Sequence, residues 1–266
     1  MASDYAPPVD RLLVFGHCRD SIANWPDHPK VLELGPEYIP DLIRMATDEE
    51  LWLLESEGLE IWAPIHAWRS LGQLRAEAAI EPLLSLLHRM DDEGNDWIGE
   101  ELPEVFGMIG AAAISALSTY LADKTHGLSA RTAASEALVK IAEQYPETQE
   151  KSIAAIAHQL EQFTKNNPVL NGMLVAALLD LKAVEAAPVM ERAFAANRVD
   201  ETIAGDWEEV QLDLGMVSKL ELRQRRFAAS QRPVVDFSTV TQPKPDVTGF
   251  GSSSSEQSKK KGKKKK

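Results

Sequence analysis

Ile80-Glu81-Pro82-Leu83-Leu84-Ser85-Leu86-Leu87 is the stretch whose spacing decides the fold. Ile80, Leu83 and Leu87 stand at i, i+3 and i+7, which puts three apolar side chains on one face of a helix. The triplet returns 34 residues later as Ile114, Leu117 and Leu121. It returns after a further 39 as Ile153, Ile156 and Leu160, and after a further 34 as Ala187, Met190 and Phe194. The i+4 position drifts from apolar to charged through Leu84, Ser118, Ala157 and Glu191. An earlier copy fits Tyr38 to Ala46, where Pro40-Asp41-Leu42 parallels Pro82-Leu83-Leu84. Two helices per period of 34 to 40 residues predict a helical solenoid, because each pair buries its apolar face only against its neighbours.

Outward from these helices the composition agrees. Ala, Leu and Glu dominate between Tyr38 and Phe227, and Gly and Pro are scarce. Apolar residues recur at three and four in Trp97, Leu102, Val105, Phe106, Ile109 and in Leu170, Leu174, Ala177, Leu178, Leu181, with no sustained alternation of period two. The expected class is all-α. Residues 1–30, with Pro7-Pro8, Pro26 and Pro29, read as a docking segment whose Leu12, Leu13, Val14 and Phe15 form a short helix on the first repeat. Residues 31–227 read as the solenoid of about five helix pairs. Residues 228–266, with Pro243-Lys244-Pro245, Ser252 to Ser255 and a lysine run, read as a disordered tail.

Charge divides the chain in the same way. The formal charge is −13, from 28 Lys and Arg against 41 Asp and Glu. The last eleven residues hold seven lysines and one glutamate, +6, which leaves −19 on residues 1–255. A body of that sign repels phosphate backbones, so nucleic acid is excluded as its partner, while the lysine tail suits acidic surfaces. No run of about 18 apolar residues occurs, so no membrane span is expected. Cys18 is the single cysteine, which excludes a disulfide scaffold and fits a reducing cytoplasm.

Several segments resemble a bacterial family of unknown function, the DUF1186-type proteins. They are Tyr38-Ile39-Pro40-Asp41-Leu42-Ile43-Arg44-Met45-Ala46-Thr47-Asp48, Trp62 through Gly72, Asp96-Trp97 through Ile109-Gly110, and Gly205-Asp206-Trp207-Glu208-Glu209-Val210. The resemblance covers about residues 9–215. It implies a HEAT-like fold of the PBS-lyase type, a right-handed superhelix of antiparallel helix pairs, and no established activity. It also implies, for some members, a C-terminal Cys-rich zinc module of SEC-C type. This chain departs there, because its one cysteine is at position 18, and no role of that module carries over.

Chemical motifs are weak. Cys18 beside His17 suggests an activated thiolate, but neighbours in sequence do not face each other on a helix. Histidines 17, 28, 66, 88, 126 and 158 lack metal-binding spacing, and none is followed by Glu as in HEAT-like di-iron hydroxylases. In Asp91-Asp92-Glu93-Gly94-Asn95-Asp96, an EF-hand register with Gly94 sixth would put Arg89 at the first ligand position, so a helix-capping turn is expected instead. Asp96-Trp97 and Asp206-Trp207, each followed by acids, read as two equivalent N-caps. Pro64 either kinks a helix or opens one. No catalytic residue, metal or cofactor is assigned.

Surfaces carry more. Five residues after each triplet's first member come Ser85, Thr119, His158 and Arg192, and nine after come Arg89, Asp123, Gln162 and Ala196. At about 100° per residue these lie away from the apolar stripe and would floor a polar concave groove. Trp52, Trp62, Trp68 and Trp97 form a second candidate surface, with inter-helix core as the competing explanation. The expected function is a non-enzymatic scaffold that binds a protein partner along the concave face, with a basic partner segment best suited to the acidic body. The alternatives are a bilin-lyase-like factor acting on a protein-bound cofactor, and an adaptor addressed by its tail.

Overall fold

The computed structural model describes residues 4–54 and 58–230, and every regular element among them is helical. The chain divides into Met1–Gln224 and a C-terminal unit beginning at Arg225. The first unit opens with a 3-10 helix, Val9–Val14, followed by α1 His28–Leu32, α2 Ile39–Ala46, α3 Glu49–Trp52 and α4 Ala63–Gln73. Next come α5 Ile80–Leu84, α6 Arg89–Asp92, α7 Asp96–Ile109, α8 Ile114–Ala122, α9 Leu128–Gln144 and α10 Gln149–Leu160. The remainder are α11 Pro168–Asp180, α12 Ala187–Ala195, α13 Glu201–Ala204, α14 Trp207–Asp213 and α15 Lys219–Ser230.

Packing follows two rows. In one, α4 lies on α7, α7 on α9, α9 on α11 and α11 on α13; in the other, α5 lies on α8, α8 on α10, α10 on α12 and α12 on α14. The rows are joined by α8 on α9, α9 on α10 and α10 on α11. Eleven of the twelve triplet residues are buried, and the twelfth, Ile114, is half-buried against the same core. The spacing of three, four and seven therefore does what it predicts: it turns one stripe of each second-row helix inward.

The turn between rows recurs as a structure more clearly than as a sequence. Helices α4 and α11 end with Arg75 at φ 52° and Lys182 at φ 54°. The next N–H groups reach back to Leu71 and Leu178, at 3.0 Å in both turns. This is the Schellman arrangement, in which a left-handed residue satisfies the last helix carbonyls. At the matching place after α7 stands Gly110, φ 88°, where a Cβ would come within 2.8 Å of the Tyr145 ring. A short 3-10 turn follows each time (77–79, 111–113, 184–186), and α7 and α8 meet at 111°.

Four expectations are corrected. Val14 is 71 % exposed, so the docking segment buries Val9 and Leu12 but turns Val14 outward. Asp96 is the first helical residue of α7 and Asn95 the N-cap, whereas Asp206 does cap α14. Asp91 belongs to the helical turn α6 and caps a distant helix, α9, accepting from the Ser129 and Ala130 N–H groups at 2.9 Å each. Helix continues to Ser230, past the expected start of the tail at 228, and residues 231–266 lie outside the described residues. Pro64 stands in the first turn of α4, where its missing N–H has no partner to lose. No single described helix is long and apolar enough to cross a membrane.

Candidate functional site

Between α5 and α8 the second row opens into a groove of about 530 Å³. The 3-10 turn before α5 supplies Glu77, α5 supplies Glu81, and α8 with the turn beyond it supplies Thr119, Tyr120, Asp123 and His126. Two expected residues, Thr119 and Asp123, thus share one concavity. Thr119 is exposed, and its Oγ1 donates to the Ser115 carbonyl at 3.0 Å. Asp123 is exposed and closes the C-terminal turn by accepting from Thr125 N and Oγ1, at 2.8 Å each. Those bonds, the backbone one first, hold its carboxyl below the usual range, so it stays anionic.

The far end of the groove is aromatic. The Tyr120 and His126 rings stack with centroids 3.7 Å apart and planes 5° from parallel. His126 Nε2 lies 3.8 Å from Asp123 Oδ2. Burial first, then the fields of Asp91, Asp123 and Asp92, push the Tyr120 hydroxyl up to about 12. A cation entering the groove meets three carboxylates and a flat ring pair, the combination that favours ammonium and guanidinium groups.

The other expected residues scatter. Ser85 is exposed but folded back, its hydroxyl donating to the Pro82 carbonyl at 2.6 Å. His158 and Arg192 are exposed on α10 and α12, and Gln162 is half-buried, its Oε1 accepting from Lys165 Nζ at 3.3 Å. Arg89 is wrong as a groove residue: it is 4 % exposed, paired with Glu49 and Glu93, and lies over the Trp52 ring. The reason is local. After Leu84 the bonds run from Leu86 N to Leu83 O, Leu87 N to Leu84 O and Arg89 N to Leu86 O, a 3-10 pattern. Each such residue advances about 120° instead of 100°, so five of them rotate Arg89 roughly 100° out of its projected column.

The tryptophans belong to the core. Trp68 is fully buried beside Trp52, ring centroids 5.7 Å apart, and Trp62 meets Trp97 edge to face at 5.4 Å. Trp52, Trp62 and Trp97 are half-buried against the apolar core. The aromatic-surface candidate therefore gives way to inter-helix packing, because large rings fill the joints of the first helices.

Sequence reasoning missed a buried polar cluster beneath the N-terminal segment. Arg69 and Glu101, 0 % and 4 % exposed, form a two-point pair between α4 and α7, Nε to Oε2 at 2.9 Å and Nη2 to Oε1 at 2.5 Å. Trp68 Nε1 donates to the same Oε2 at 2.8 Å, and Arg69 Nη2 also donates to the Cys18 carbonyl at 3.2 Å. Cys18 faces His66 rather than His17, with Sγ 3.3 Å from Nε2. That contact has the composition of a thiol–imidazole dyad but not its chemistry. Burial pushes the thiol up to about 12 and pushes His66 down to about 4, so neither group carries the charge a nucleophile needs. The cluster did leave a signal: His66, Arg69, Ser70 and Gln73 stand at i, i+3, i+4 and i+7 on a helix whose other residues are apolar or Gly, a polar stripe with one face. Among the described residues, no group of three or more His, Cys, Asp or Glu side chains is arranged to hold a metal ion.

The described residues thus form an all-helical protein, with its helices packed in two rows and an acidic groove between α5 and α8. Residues 31–231 match the family described as protein of unknown function (DUF1186), and the chain belongs to that family. No curated protein and no solved structure matches it.

Proposed function

We propose that this protein is a non-enzymatic interaction scaffold, a HEAT-like right-handed solenoid whose second-row helices line the concave side. Its partner is a protein carrying a basic segment, seated between α5 and α8. The row-on-row packing and the recurring Schellman turns support the solenoid. The single observation that carries the binding site is the convergence of Glu77, Glu81 and Asp123 with the Tyr120–His126 stack around one groove. A body of −19 adds long-range attraction for a basic segment and repels acidic ones.

The test is anisotropy titration of the full chain with labelled arginine- and lysine-rich peptides, and an acidic control of equal length, at rising ionic strength. The basic peptides bind, weaken with salt, and lose about tenfold in affinity to Glu77→Gln/Glu81→Gln/Asp123→Asn. Equal affinity for the acidic control, or no change in the triple variant, refutes the assignment.

A further inference from the structure

Helix α4 is covered by the segment from Asp4 to Leu34, through the 3-10 helix Val9–Val14 and through α1. A line of hydrogen-bonding groups crosses that interface. His66 Nε2 lies 3.0 Å from the Gly16 carbonyl oxygen, His66 Nδ1 lies 2.9 Å from His28 Nε2, and His28 Nδ1 lies 3.3 Å from Gln73 Oε1. The Gln73 amide is oriented independently: its Nε2 donates to the Pro26 carbonyl at 2.8 Å and its Oε1 accepts from His28 N at 3.0 Å. Both ends of the line are therefore oxygen acceptors, with four ring nitrogens between them.

Counting protons gives the behaviour. With the Cys18 S–H directed at the Trp62 carbonyl at 3.8 Å, the three contacts need three N–H groups, and two neutral imidazoles supply two. The docked pair has room for one added proton. It has no room for a second, because two N–H groups would then face each other across 2.9 Å. When the segment leaves α4, both rings reach water and each takes a proton freely.

We propose that the His28–His66 pair is an acid-operated latch, which holds residues 4–34 on α4 at neutral pH and releases them when the pair takes its second proton. Burial and the Arg69 charge act in the same direction, against the hydrogen bonds to Gly16 and Gln73 that favour the proton. On α4 the nearest charge is the Arg69 guanidinium, and the α7 carboxylate Glu101 is committed to it. The segment offers Asp20 and Asp27, whose fields favour the proton only weakly, together with the neutral Cys18 thiol. Burial pushes both histidines, 0 % and 2 % exposed, down to about 4. The folded values lie below the ordinary 6.5, so the docked state is the proton-poor one. Docking is then complete above about pH 6.5 and is lost as pH falls toward 4.

The test is hydrogen exchange on the full chain, corrected for the intrinsic pH dependence of amide exchange. Protection of residues 4–34 falls at least tenfold between about pH 6.5 and 4, while α9 and α11 stay protected. His28→Gln keeps an N–H donor toward His66 and flattens that dependence. An unchanged pH profile in the variant, or simultaneous loss of protection in α9 and α11, overturns the latch. Should His28→Gln fail to fold, NMR titration of the wild-type histidines decides: at least one ring whose midpoint lies well below 6.5 supports the latch, and both midpoints near 6.5 or above refute it.

Discussion

Two joints of the first row are made of different materials. Where α4 meets α7, the Arg69–Glu101 pair and the Trp68 indole are sealed together under the N-terminal segment. Where α9 meets α11, each helix buries mainly Ala, Leu, Val and Ile, among them Ala134, Leu138 and Ile141 on α9 and Leu174 and Leu178 on α11. Dispersion and water release hold the second joint, and they scale with area and degrade gradually. The first joint depends on two charges cancelling in a dry place, so it fails abruptly when one is removed. Polar joints are specific, apolar joints are tolerant, and this chain has one of each in the same row.

Breaking the polar joint gives the largest effect. Glu101→Ala leaves the Arg69 guanidinium uncompensated, an expected loss of about 3–5 kcal/mol in urea unfolding. Leu178→Ala in the apolar joint costs about 3 kcal/mol, through lost contacts and the cavity left behind. Replacing both charged partners, Arg69→Met with Glu101→Leu, recovers part of the Glu101→Ala loss, because no charge is left buried alone, while the Trp68 N–H and the Cys18 carbonyl still lose their partners. The contrast collapses if Glu101→Ala costs less than Leu178→Ala, or if the double replacement is as damaging as the single one.

That contrast also decides what was legible beforehand. The apolar joints announce themselves as period, and the four triplets located the buried stripes of α5, α8, α10 and α12 before any coordinates. Half of the groove was legible for the same reason: α8 is a regular helix from Ile114 to Ala122, so its projection put Thr119 on the right side. Arg89 failed because α5 stops at Leu84 and the next residues wind more tightly, a change that no residue type between 85 and 89 demands. The polar joint was illegible by spacing, since Arg69 and Glu101 are 32 residues apart and His28 and His66 are 38 apart. Pairing across such distances is created by the fold. Only the polar stripe of α4 hinted that something must come to meet it.

Asp91 shows the same point at a smaller scale. The acidic loop had the look of a cation site, yet both Asp91 oxygens are engaged by the Ser129 and Ala130 N–H groups at the start of α9. They satisfy donors that the first turn of a helix cannot satisfy itself, and they put negative charge at its positive end. Asp91→Ala is expected to cost about 1–2 kcal/mol. Asp92→Ala, one residue away and exposed, should lie within about 0.5 kcal/mol of wild type. Equal losses would show that the carboxylates act as a diffuse field instead of a cap.

The smallest contrast separates two motifs that look identical as letters. Gly94 at φ 65° and Gly205 at φ 77° each reverse the chain, and the residue after each becomes the N-cap. After Gly205 that residue is Asp206, which accepts from Glu209 N at 2.9 Å while Glu209 Oε2 accepts from Asp206 N at 3.2 Å, a complete capping box. After Gly94 it is Asn95, whose side chain makes no capping bond, and Asp96 has slipped one place into the helix. The left-handed glycine, and not the shared Asp-Trp pair, sets the register. Asp206→Ala should therefore lower stability by about 1 kcal/mol, and Asp96→Ala by a few tenths through the helix dipole alone, at most about 0.5 kcal/mol. Thermal unfolding of the two single variants side by side measures the difference, and equal shifts in Tm would return the caps to equivalence.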